Sequence, residues 1–87
     1  MKRLTAIKDD RWQLNEGVEF NDAIERLAKF EEFQEKMIES QSAIVEELAK
    51  LRDEGKEKTN QYRELFTKKL LTNNVLAFLR YHGIKED

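Results

Sequence analysis

The sequence predicts an all-α protein: a long coiled-coil helix followed by two short C-terminal helices, with an N-terminal arm or short β-hairpin in front. Three observations carry this. Proline is absent and only three glycines occur among 87 residues, so long stretches contain nothing to stop a helix. Positions at alternating spacings of three and four between 23 and 51 are apolar at seven of nine places, the signature of a heptad seam. Polar punctuation is confined to DEGKEKTN (53–60) and TNN (72–74), which divides the helical stretches. The expected organisation is an arm over 1–20, a coiled-coil helix over 21–54 and a helical head over 55–87, all within one domain.

Residues 1–20, MKRLTAIKDDRWQLNEGVEF, have no helical period. Leu4 and Ala6 alternate before the polar KDDR, and Trp12 and Leu14 after it, which suits a short hairpin. Because a lone two-stranded hairpin is marginal in water, the alternative is an extended arm whose Trp12 docks on the helices.

The first helix is expected to start at Asn21, a favoured cap, with Asp22 in the first turn where the helix dipole favours negative charge. With Leu27 as a and Phe30 as d, the seam runs Leu27, Phe30, Gln34, Met37, Gln41, Ile44, Leu48, Leu51, and Ala23 extends it backwards. Glu25–Lys29, Glu32–Lys36 and Glu46–Lys50 stand in the favourable i,i+4 order on the outer faces. At about 1.5 Å per residue such a helix reaches roughly 50 Å and needs a partner helix. Gln34 and Gln41 occupy consecutive a positions. There they either fix register against copies of themselves or sit in a locally splayed, wet seam.

Gly55 falls at the next a position. It predicts a break over 54–59, with Thr59 or Asn60 capping a second helix; a continuous helix with a loose turn is the alternative, because Tyr62 and Leu65 keep the heptad phase. On the second helix Tyr62, Leu65, Phe66 and Leu70 share a face. Thr72, Asn73 and Asn74 are poor helix formers and good caps, so a third helix is expected over 74–82. Gly83 is the expected left-handed residue after it, with Ile84 reaching back to Leu79 in a Schellman motif. The third helix is expected to lay Val75, Phe78 and Leu79 on the second, with Leu65 and Phe66 beneath, as a head on a stalk.

Charge is unevenly placed. Residues 21–54 hold ten acidic and five basic side chains, a net of −5, whereas 55–82 hold six basic and two acidic, a net of +4. Mutual attraction of the two segments, within or between chains, accounts for this. Lys56, Lys58, Arg63, Lys68, Lys69 and Arg80, interleaved with Tyr62, Phe66 and Tyr81, form the candidate partner or nucleic-acid surface. Absence of Cys excludes disulfides, thiolate chemistry and Cys-ligated zinc. His82 stands alone near a helix end, where the dipole favours a cation. Glu31, Glu32, Glu35 and Glu39 read as a solvated acidic face, and Ser40 and Ser42 have no base beside them. There is no Gly-rich phosphate loop. No enzyme activity, cofactor or metal is expected. No signal peptide or membrane span is legible, so a cytoplasmic location is expected.

The start MKRLT, the stretch AIERLAKFEE (23–32) and the ending KKLLTNNVLAFLRYHGI (68–84) together resemble small, mostly uncharacterised accessory proteins of temperate phages and prophages of Gram-positive bacteria. Those proteins close on a pattern of Lys-Leu-x-Asn-x-x-x-Leu-x-x-Phe/Leu-x-x-Tyr-Gly-Ile. Here His82 stands between Tyr81 and Gly83. The resemblance implies a phage-encoded accessory protein in a bacterial cytoplasm that binds a host or phage protein, and it brings no catalytic residues. The function expected is therefore a self-associating, non-enzymatic protein-interaction module, with nucleic-acid binding through 56–80 as the alternative.

Overall fold

In the computed structural model of the chain, which describes residues 1–86, two short strands precede two helices. Strands β1 (Thr5–Lys8) and β2 (Arg11–Leu14) pair antiparallel, with Thr5 opposite Leu14 and Ile7 opposite Trp12. The N-terminal segment is thus a hairpin. Its two-residue loop, Asp9–Asp10, takes φ of 54° and 63°, the left-handed pair that matches the twist of the strands. Aspartate tolerates this region because its short polar side chain bonds locally. Asn15 then ties off the open end: its N–H donates to the Leu4 carbonyl (2.7 Å) and its side-chain amide to the Arg3 carbonyl (3.2 Å).

Helix α1 runs Phe20–Asp53 and helix α2 runs Asn60–Tyr81. The start of α1 lies one residue before the expected cap. The Glu19 carbonyl accepts from the N–H groups of Asp22 (3.1 Å) and Ala23 (3.3 Å), so Asn21 stands inside the first turn. At the start of α2, Thr59 is the cap, and its hydroxyl accepts from the Tyr62 N–H at 3.2 Å.

Both helices stop in the same way. Gly55 has φ +73°, its N–H donates to the Arg52 carbonyl (3.0 Å), and the Lys56 N–H reaches the Leu51 carbonyl (2.8 Å). Gly83 has φ +85°, its N–H donates to the Arg80 carbonyl (2.9 Å), and the Ile84 N–H reaches the Leu79 carbonyl (2.8 Å). Each is a Schellman motif that satisfies orphan carbonyls. The chain breaks at Gly55.

The C-terminal part differs from the expectation of two short helices. α2 passes unbroken through Thr72, Asn73 and Asn74, so there is one second helix of 22 residues and no separate third helix or head. The reason is that polar groups of Thr72 and Asn73, which favour leaving a helix, find partners while it continues. The Thr72 hydroxyl donates to the Lys68 carbonyl four residues back (2.8 Å), and the Asn73 carboxamide oxygen accepts from Gln41 of α1 (2.8 Å).

The chain falls into two compact units, Met1–Glu32 and the part from Phe33 onward. In the second, Arg52 bonds Tyr62, Gln41 bonds Asn73 and Gln34 bonds the Lys85 carbonyl, so the helices run antiparallel. Ile44, Leu48 and Leu51 of α1 and Leu76 of α2 are buried in this seam, together with Thr72. Each fully buried Leu or Ile contributes about 1.5–3 kcal/mol. The inward residues of α2 (Tyr62, Leu65, Lys69, Thr72, Leu76, Leu79) repeat the three-four spacing, and they do so in the heptad count that α1 begins. Among the described residues no helix is long and apolar enough to cross a membrane.

Candidate interaction surfaces

The heptad residues of α1 fall into two groups. Ile44, Leu48 and Leu51 are 5%, 2% and 4% exposed, and Met37 is half-buried. Gln34 and Gln41 spend their amides inside the chain, on Lys85 and Asn73. Leu27 and Phe30, in the same phase, are 54% and 39% exposed. Length explains the contrast. α2 has 22 residues against 34 in α1, so at equal rise it can pair with no more than two thirds of it.

In the first unit, Leu27 and Phe30 line an open groove of about 350 Å³ together with Ala23, Arg26, Met1 and Leu4. The hairpin presents its other face outward: Ile7 and Trp12, a directly opposed pair, are both largely exposed. Trp12 is 61% exposed. It carries the Arg3 guanidinium 4.9 Å from its ring centre, a cation–π contact that shields one face of the indole.

In the second unit, α2 turns Phe66, Leu70, Leu71, Phe78 and Tyr81 outward. On α1, Ile38 and Val45 stand seven residues apart, beside the seam. An apolar stripe next to a filled seam is a surface that burial inside the chain leaves unused.

The six basic residues do not converge. Lys56 pairs with Glu54 at 3.0 Å, and Lys58 lies in the turn. At ~100° per residue Lys68 lies about 140° round the helix from Arg63, and Lys69 about 100° further. Lys69 is half-buried, its ammonium 5.8 Å from the Phe66 ring centre. Arg80 donates through Nε to both carboxylate oxygens of Glu86 (3.0 and 3.1 Å). That bond holds the Glu86 carboxyl below the usual carboxylate range. Likewise the Lys56 bond lowers the Glu54 carboxyl, and the Tyr62 hydroxyl raises the Arg52 guanidinium. The aromatic residues interleaved with these charges, Phe66 and Tyr81, are exposed, whereas Tyr62 is half-buried and bonded to Arg52.

His82 ends α2, its ring edge-on to Tyr81 at 5.2 Å between centres. Glu31, Glu35 and Glu39 are exposed. Among the described residues no group of three or more His, Asp or Glu side chains is arranged to hold a metal ion.

Sequence reasoning missed Thr72, Asn73 and the Ile38–Val45 stripe. A signal for the first two existed. Two glutamines in a seam need partners, and continuing the heptad count past Gly55 puts Thr72 and Leu76 in the inward positions, with Asn73 beside them. No protein-family model matches the chain, and no curated protein or solved structure matches it.

Proposed function

We propose that this chain is a non-enzymatic interaction module of the phage or prophage accessory type, which self-associates through the coiled coil that α1 begins. The observation that carries the reading is an apolar heptad phase continuing where it is exposed: Leu27 and Phe30 follow the same spacing as the buried Ile44, Leu48 and Leu51. A helix that needed only its own hairpin partner would turn polar there. A second copy of α1 offers a stripe of matching spacing. In this reading the protein works in the cytoplasm of a bacterial host and presents its remaining surface to a host or phage protein. The opening MKRLT and the closing KKLLTNNVLAFLRYHGI support the phage assignment.

The test is absolute mass in solution by sedimentation over a wide range of concentration. The expected result is an assembly whose mass falls in the Leu27→Asp/Phe30→Asp variant while helix content stays the same. A folded single chain at every concentration would sink the reading.

A further inference from the structure

The helix pair formed from Phe33 onward has two open sides. On one of them α1 presents Ile38 and Val45, and α2 presents Phe66, Leu70 and Ala77. The register that sets Gln41 against Asn73 and Arg52 against Tyr62 brings these five residues together along the middle of the pair. Val45, Phe66 and Leu70 are 47%, 43% and 50% exposed. The middle of this side carries no charge. Its charges stand at the ends: Arg52 and Arg63 beside the Gly55 turn, and Glu35 at the other end together with Arg80, whose guanidinium is held by Glu86.

We propose that this side docks a second copy of the chain, related by a two-fold axis and running in the opposite direction. The inference rests on the self-association reading and adds to it a second surface, apart from Leu27 and Phe30. The face is its own complement. Ile38 and Ala49 stand equally far on either side of Ala43 and Ile44, so a large side chain meets a small one when the copy is reversed. Glu35 and Arg52 are likewise equidistant from that midpoint, so each Arg52 meets the partner's Glu35. Leu70, level with Ile44, sits beside the axis opposite the partner's Leu70.

The guanidinium of Arg52 is held by the Tyr62 hydroxyl at 3.2 Å, which uses one of its five donors and leaves the others for a carboxylate. Pairing in the same direction is disfavoured, because it lays Arg52 beside the partner's Arg63. The opposite side of the helix pair is the poorer candidate even though Leu71 lies on it. Glu47, Lys68 and Glu64 occupy the groove there, where an uncharged centre is needed.

The experiment is sedimentation of the full chain at low salt, comparing wild type with Glu35→Arg, Arg52→Glu, the double exchange, and Val45→Asp. Each single reversal should weaken association about tenfold or more, since like charges are then opposed at two symmetric places. The double exchange should restore it. Val45→Asp, at a half-exposed position, should lower the mass with helix content unchanged. An assembly that ignores all four variants, yet disperses in Leu27→Asp/Phe30→Asp, overturns the docking face and leaves the self-association reading standing. A wild type that stays a single chain overturns both.

Discussion

Single residues at the helix ends hold charge in defined places. Arg80 grips Glu86 through both carboxylate oxygens, and this bond is the main reason the carboxyl ionises below its usual range. The sign follows. A carboxyl whose folded pKa is depressed adds stability that is complete above its unfolded value and disappears as pH falls through the folded one. Both partners lie near the surface, so the effect is a fraying of the chain end in acid and not a collapse of the fold. Titration by NMR should place the Glu86 midpoint lower in the wild type than in Arg80→Gln. Equal midpoints in the two proteins would show that the pair does not form in solution.

At the scale of elements, the seam between α1 and α2 sets polar residues among its apolar ones. Gln41 and Asn73 meet in its partly buried middle. Removing one partner strands the other, so Asn73→Ala should cost about 1–2 kcal/mol in denaturant unfolding, and Gln41→Leu with Asn73→Leu should recover most of it. A double variant no more stable than the single would mean that the pair carries nothing beyond packing.

This pair also marks where sequence reading stops. The Gly83–Ile84–Leu79 stop and the Thr59 cap were legible because their causes lie within a few residues. The hairpin was legible beside the alternative of an extended arm, since alternation over four residues is a weak signal. The continuity of α2 was illegible in its own sequence. Thr72 and Asn73 say "cap" locally, but Thr72 bonds the Lys68 carbonyl four residues back and Asn73 is held by Gln41, 32 residues away. The candidate surface was half legible. The heptads located the apolar phase, but which part of it α2 would fill depended on where the chain turned.

At the scale of the molecule, the two proposals use separate faces: the exposed start of the heptad phase and the Ile38–Val45–Phe66–Leu70 side. Two isologous faces on one protomer close into four copies when their axes are mutually perpendicular. If both proposed faces are used, disabling either one alone should lower the mass without reaching a single chain, and disabling both should leave single chains. A mass that drops to one chain from a single disabled face would mean that only that face is used.

The last consequence belongs to Gly55. Its left-handed backbone ends α1 where the chain turns back, and a Cβ there would touch nothing within 4 Å, so the position is constrained by conformation and not by space. Since Tyr62, Lys69 and Leu76 continue the count of Gln34, Gln41 and Leu48, the chain would stay in phase if the turn were straightened. α2 would then find the same seam on a neighbouring molecule, Asn73 for Gln41 included. A methyl at residue 55 would strain the turn by about 1–2 kcal/mol and so tilt the balance from a folded hairpin toward exchange of α2 between chains.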